Sequence, residues 1–254
     1  MPIFSWGVRR QLGVFAVFAA VILLIVGGLI YYFRPEPTCF DNRKNQDEEG
    51  IDCGGAAARC APCSEKIRDL TILWTRFFPT RQGVYDAAAL LENSNQFLKT
   101  QKFIYTFKLY DENGVLITVR ENSTFIWPGE KFLIFEPNIF AENRAPKKVL
   151  LEIRSVNWEA GEARPLKIDI LKRDILLQDQ SSPRLEVKIK NQENQIYKNI
   201  EISAVLLGQD GEVLGASKTL LDSLDIGEEK NVVFTWPQAI SGVSRAEIFL
   251  RQAL

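Results

Sequence analysis

Residues 102–120, KFIYTFKLYDENGVLITVR, decide how most of this 254-residue chain is built. In KFIYTFKLY the large side chains Phe103, Tyr105, Phe107 and Leu109 fall on every second residue, so an extended strand would present one apolar face. Asp111-Glu112-Asn113-Gly114 follows, and its Asn-Gly pair suits the positive φ values of a two-residue type I′ hairpin turn. Val115 to Arg120 is then the returning strand.

The same signals continue on both sides. Ile72-Leu73-Trp74 and Phe77-Phe78 are β-formers stopped by Pro79, and Phe132 to Phe135 and Val149 to Ile153 read as further strands. The pattern then returns about 98 residues later. Asn93 after Leu-Leu-Glu reappears as Asn191 after Lys-Ile-Lys, and FKLYDENG (107–114) as AVLLGQDG (204–211). Pro128-Gly129-Glu130-Lys131 matches Ile226-Gly227-Glu228-Glu229-Lys230, and the closing strands LEI (151–153) and AEIFL (246–250) follow in turn. Order and spacing indicate an internal duplication. About seven short strands in about 90 residues per copy is the pattern of an immunoglobulin-like β-sandwich. The expected fold class is therefore all-β, with a first sandwich over 66–160, a second over 161–254 and a boundary near Trp158 to Pro165.

Phe107-Lys108-Leu109-Tyr110-Asp111 resembles the F-x-L-Y-D signature of the bacterial FxLYD domain, including its place at the end of a strand before a hairpin. The second copy keeps Leu206 but carries Ala204, Leu207 and Gly208 where the signature has Phe, Tyr and Asp. The resemblance implies an extracytoplasmic β-sandwich, often tethered to a membrane, and little chemistry.

At the other end lies LGVFAVFAAVILLIVGGLIYYF, residues 12–33, without a charged side chain. About 20 apolar residues match the roughly 30 Å hydrocarbon core of a bilayer. The run is longer than the apolar region of a signal peptide and ends in Tyr31, Tyr32 and Phe33, which suit an interfacial aromatic belt, as Trp6 does at the other side. It reads as a retained anchor. Arg9 and Arg10 before it nearly balance Arg34, Arg43 and Lys44 after it, so positive-inside counting is close to a tie. The cysteines that follow break it, because clustered thiols suit an oxidising compartment outside the cytoplasm. Residues 1–11 are then a cytoplasmic tail, 12–33 a single-pass transmembrane helix and 34–65 a cysteine-rich stalk, with the C-terminal body extracytoplasmic at the cell membrane.

The stalk holds Cys39, Cys53, Cys60 and Cys63 among Asp, Asn and Gly, which leaves little to pack and points to structural disulfides in three possible pairings. It resembles a short cysteine motif of bacterial surface proteins at Cys39, Asp41, Asn45, Asp47, Glu48, Gly50, Asp52, Cys53-Gly54-Gly55 and Cys60-x-x-Cys63, although Ala56 to Arg59 put four residues between Gly-Gly and the third cysteine where the motif has one. Three other readings compete. Four thiolates suit zinc, but zinc sites come as two close pairs. Asp41, Asn45, Asp47, Glu48 and Asp52 offer oxygens for calcium and a stiffened stalk, without EF-hand spacing. Cys60-Ala61-Pro62-Cys63 has the form of a thiol-redox pair, without the strand–helix context of one.

The rest of the chain argues against catalysis. It has no histidine, which removes the commonest general base and metal ligand, and no phosphate-loop, dinucleotide or nucleophile-elbow motif. A carboxylate pair needs no motif, and Asp169, Asp174 and Glu186 fall on strand or turn surfaces where solvated charge is the plain reading. Trp127-Pro128 and Trp236-Pro237 each follow an apolar strand and read as plugs at a sandwich end rather than as a binding surface. Asn122-Ser123-Thr124 would accept a glycan only in a glycosylating secretory route. A net charge of −1 gives no footprint for nucleic acid. The expected function is a non-enzymatic binding or scaffold module without cofactor, held at the membrane by the 12–33 helix and facing an unidentified protein or envelope partner. An envelope thiol-redox factor or other envelope enzyme, and a calcium-stiffened structural stalk protein, are the alternatives.

Overall fold

The computed structural model describes residues 6–33, 38–45, 48, 50–54, 60, 63, 67–142, 144–178 and 183–252. Arg34, Asp47, Gly55, residues 56–59, Ala61 and Pro62 lie outside the described residues. Met1–Cys63 and Ser64–Leu254 form two compact units.

The first unit opens with helix α1, Trp6–Tyr32. Its described side chains over 14–29 are all exposed, and they are Val, Phe, Ala, Ile, Leu and Gly throughout. Among the described residues no helix is long and apolar enough to cross a membrane. The described side chains run unbroken only over 14–29, a stretch shorter than the 27-residue helix as a whole. Beyond the helix the chain is tied by two disulfides, Cys39–Cys60 and Cys53–Cys63.

The second unit is all-β. Its first half contains β1 (Thr71–Arg81), β2 (Val84–Glu92), β3 (Leu98–Tyr110), β4 (Leu116–Ile126), β5 (Lys131–Phe140) and β6 (Lys148–Ile153), followed by the short β7 (Glu159–Ala160). The second half contains β8 (Ile168–Leu176), β9 (Arg184–Asn191), β10 (Tyr197–Leu207), β11 (Val213–Leu224), β12 (Glu229–Thr235) and β13 (Arg245–Gln252). In the first half the sheets are β1-β2-β5 and β4-β3-β6, with β7 beside the start of β3; in the second they are β8-β9-β12 and β11-β10-β13. Strand for strand the order is the same. Among the described residues the first half has six long strands and the short β7, and the second half has six strands, against about seven expected for each.

Within each half the two sheets face each other across a core. Phe103, Tyr105, Phe107 and Leu109 of β3 meet Ala87, Ala89 and Leu91 of β2 and Phe132 and Ile134 of β5. The alternation read in KFIYTFKLY is this inward face. In the second half, Ile200, Ile202, Ala204 and Leu206 of β10 meet Leu185, Val187 and Ile189 of β9.

A third core joins the halves. Ala88 and Leu90 of β2 and Leu133 and Phe135 of β5 pack against Val205 and Leu207 of β10 and Ala216 of β11. Sheet β1-β2-β5 therefore lies back to front on sheet β11-β10-β13, and the unit is a stack of four sheets. This explains why Ala87 to Leu91 and Ile200 to Leu207 are buried at every position, odd and even alike. A strand covered on both faces carries a continuous apolar run instead of an alternating one, as in Ala87 to Leu91 and Ala204 to Leu207, while Glu201 and Ser203 are buried polar exceptions on β10.

Two local expectations are corrected. Pro79 does not end the first strand: β1 runs through it to Arg81. An edge strand tolerates proline because its outer N–H has no partner to lose. The Asp111–Gly114 turn is not type I′, because Gly114 alone among its residues has positive φ, at 74°. Asp111 Oδ1 instead accepts the N–H groups of Asn113 (3.0 Å) and Val115 (2.8 Å), and Gly114 closes the loop. The Asp of the FxLYD-like stretch is thus the turn's cap, while Phe107 and Leu109 are core residues.

Candidate functional site

The cysteine segment has its own logic. Cys60 and Cys63 are not bonded to each other; each reaches back to an earlier cysteine, with Cα–Cα separations of 5.3 and 4.9 Å. Both lie in the ordinary disulfide range. The acidic side chains between them serve the backbone. Asp52 accepts the N–H groups of Asp41 (3.1 Å) and Asn42 (2.9 Å), and Asp41 accepts that of Arg43 (2.9 Å) and the Asn45 amide (2.7 Å). Glu48, 6% exposed, accepts the N–H groups of Asn45 (3.1 Å) and Asp52 (3.3 Å). Cys39, Glu48 and Cys60 converge closely enough for a metal, but both sulfurs are committed to one disulfide and offer no thiolate. The carboxylates read as caps that replace a hydrophobic core, and the geometry lends no support to a redox pair.

In the second unit one corner is built twice. Asn93 is 1% exposed and its amide donates to the carbonyls of Leu98 (2.8 Å) and Trp127 (2.9 Å). Asn191, also 1% exposed, donates to Gln195 (2.8 Å), Leu224 (3.1 Å) and Asp225 (3.0 Å). The backbone N–H of Asn93 reaches Glu130 O and that of Asn191 reaches Glu228 O, at 2.9 and 3.1 Å. The glutamates act alike, Glu130 accepting from Trp127 N (2.9 Å) and Glu228 from Asp225 N (2.8 Å). Gly129 and Gly227 before them have φ of 63° and 69°, which the turn requires.

Beside the first of these corners the halves are stapled together. Arg251 of β13 is 4% exposed, and its guanidinium lies over the rings of Phe125 (3.9 Å) and Phe132 (4.5 Å). Its Nη2 donates to Phe125 O (2.5 Å) and Glu130 Oε2 (3.3 Å). Its Nε and Nη1 stand 3.1 and 3.8 Å from Glu130 and Glu201 and form ion pairs without hydrogen bonds. Burial pushes the Glu130 carboxyl above its ordinary range against the pull of Arg251, and burial likewise draws Arg251 down. Nearby, Tyr105 donates to Glu136 (2.6 Å); burial and then that carboxylate push the phenol well up. Trp127 adds a second staple, its indole N–H reaching Gln252 O at 3.1 Å.

The opposite end of the unit is open. The segment 79–83, the loop 236–241 and the start of β11 border three adjoining clefts. One of about 280 Å³ is lined by Phe78, Pro79, Asp86, Gly215, Trp236 and Ile240, so both halves contribute walls. Gln238 bridges the rim to Thr80 O at 3.3 Å. Asp86 accepts the Asn138 N–H (2.9 Å), yet burial outweighs that bond and raises its carboxyl above the usual range. Arg81, Glu142 and Arg144 stand around a neighbouring cleft.

The carboxylates considered from sequence do not converge. Asp174 pairs with Lys172 and Glu186 with Arg184, each at 2.7 Å, and Asp169 accepts from Gln192 at 2.7 Å. Both tryptophans are plugs, Trp127 at 6% and Trp236 at 9% exposure, the latter donating to Ala216 O (3.2 Å). Asn122 is exposed on β4 and its amide donates to Glu136 (2.9 Å). No sequence signal marks Arg251, Glu201 or Asp86, and Glu130 stands out only as part of the repeated turn; the apolar runs in β2 and β10 are what point to the contact that assembles them.

No family model and no curated protein matches this chain. Among solved structures it is similar to the transglutaminase of red sea bream, at 8% identity over 74% of this chain and 29% of that one, with a TM-score of 0.21. The chain spans less than a third of that protein, and a likeness this low carries no argument about fold or activity.

Proposed function

We propose that this chain is a single-pass membrane protein that displays two tandem immunoglobulin-like sandwiches outside the cytoplasm as a non-catalytic binding or scaffold body. The sequence over 12–33 supports the anchor, as does an α1 whose described side chains are apolar and exposed: Val14, Phe15, Phe18, Leu23 and Leu24 are each more than 60% exposed. A helix apolar all round belongs in a core or a bilayer. The disulfide-tied segment after it fits an oxidising compartment. A shared strand order of 1-2-5 facing 4-3-6, repeated as 8-9-12 facing 11-10-13, supports two duplicated sandwiches.

One observation carries the binding reading. The two halves are locked at one end by Arg251 and Trp127, while the other end holds open clefts walled by both halves. The body enters at Ile67, and β1 runs from Thr71 to Arg81, so the rim lies at the far end of about 35 Å of strand. A rigid support with an uncommitted rim suits recognition of a protein or envelope polymer. Photo-crosslinking amino acids at Gln82 and Gln238, in intact cells, test this. A discrete adduct from these positions, and none from Glu92 at the opposite end, is expected. No adduct from the rim, or the same adduct from all three, would overturn the proposal.

A further inference from the structure

The halves meet back to front rather than face to face. The contact is made by unlike sheets, β1-β2-β5 of one half and β11-β10-β13 of the other. Each half therefore leaves free the sheet that its sister uses: β4-β3-β6 is the counterpart of the docked β11-β10-β13, and β8-β9-β12 of the docked β1-β2-β5. A heterologous contact between like units leaves a complementary face free at each end and repeats into a ring or an open filament. Something must stop it.

The registers identify what does. On β10, Val205 lies opposite Ala216 and Ser203 opposite Phe249; on β3 the same places hold Lys108 opposite Val119 and Thr106 opposite Glu152. Lys108 thus stands where the docked sheet has Val205, and Glu152 where it has Phe249. These two form an ion pair across the free face. On the other free sheet, Glu186 and Lys188 of β9 stand where β2 has Ala88 and Leu90, counting from the matched Asn191 and Asn93. Asn231 takes the place of Leu133. Four of the seven buried residues of the internal contact are thus replaced by charged or polar residues on the free copies, whereas Phe135 and Ala216 correspond to Val233 and Val119. Two staple positions keep their residue type, Arg154, whose N–H donates to Ile104 O, in the place of Arg251 and Glu228 in that of Glu130, but Ile104 stands where the docked sheet has Glu201 and Lys230 where it has Phe132. Arg154 is drawn aside to Glu121 at 2.7 Å.

We infer that the two outer faces are silenced copies of the internal interface, and that Lys108, Glu152, Glu186 and Lys188 cap the stack at two repeats. The partner each face would otherwise accept is a second copy of this chain. Lys108 pairs with Glu152, Glu186 with Arg184 and Lys188 with Glu229, and burying such pairs in a contact costs more than their attraction returns; charge on an exposed sheet is a general guard against self-association. Terminal repeats of stacked arrays carry polar outer faces for the same reason. The inference rests on strand equivalence, independent of the membrane and binding readings.

The test uses full chains in density-matched detergent, followed by sedimentation velocity. One chain carries Lys108→Val with Glu152→Phe, the other Glu186→Ala with Lys188→Leu. Each alone should stay as monomeric as the unmodified chain, and a mixture should form a 1:1 dimer at least about 100-fold tighter than any self-association of the unmodified chain. A chain with all four substitutions should form open, concentration-dependent polymers. The inference falls if the four-fold variant stays monomeric, or if either two-fold variant associates with itself as readily as with its counterpart. Should a variant lose its cooperative melt, Lys108→Ala mixed with Lys188→Ala replaces the pair. The mixture must then still associate more tightly than either chain alone, and equality overturns the inference.

Discussion

Replacing Arg251 with Met tests the staple between the halves. The aliphatic stem is retained, but the buried guanidinium is removed from Glu130, Glu201, Phe125 O and two aromatic rings at once. Removing one partner of a buried pair leaves uncompensated charge and costs about 3–5 kcal/mol. The ring contacts overlap with that figure and are not added to it. Burial already holds the Glu130 carboxyl above its ordinary range. Without Arg251 that carboxyl can take up a proton, which limits the penalty. The loss should therefore be about 3–5 kcal/mol at neutral pH and shrink as the pH approaches the carboxylate range. Urea unfolding followed by tryptophan fluorescence measures both, since Trp127 and Trp236 are buried in the halves concerned. Adding Glu130→Gln to Arg251→Met should recover part of the loss at neutral pH. A penalty below about 1 kcal/mol, or one that does not change with pH, would refute the assignment of the staple as a buried, charge-compensated contact.

Two further expectations concern the corners and the rim. Asn93→Ala and Asn191→Ala each strand buried backbone carbonyls, at about 1–3 kcal/mol per group, and both should lower the urea midpoint, which equilibrium unfolding checks directly. At the rim, Asp86 has a raised carboxyl, so the stability it contributes is full below the unfolded value of 3.8 and is lost as the pH rises through the folded one. Asp86→Asn keeps the acceptor for the Asn138 N–H and removes the titration; its urea midpoint should gain on that of the unmodified chain as pH rises, and parallel pH profiles would contradict this.

The sequence made parts of this arrangement legible because they depend on local periodicity. The inward face of β3, the Asn93 and Asn191 corners and the repeat spacing are all contacts within one sheet or one turn, which alternation and turn chemistry encode directly. The docking of the halves was not legible in the same way. Ala87 to Leu91 reads equally as a strand or as part of a helix, and only burial on both faces explains it. The Arg251–Glu130 pair joins residues that no local pattern relates. Pro79 misled because proline is a sound stop signal inside a sheet and an unreliable one at its edge. The cysteine pairing belongs to the same class: spacing allows three connectivities, and the fold selects one.

The placement of β1 has a mechanical consequence. The chain enters the body at Ile67, where Arg68 is held to Asn95, and β1 then runs the full length to the rim beside β2. A load applied between a ligand at the rim and the point of entry acts along β1. The hydrogen bonds joining β1 to β2, from Thr71 opposite Glu92 to Arg81 opposite Val84, are then stretched together in shear rather than peeled one after another. A body hung this way yields only when many bonds fail at once.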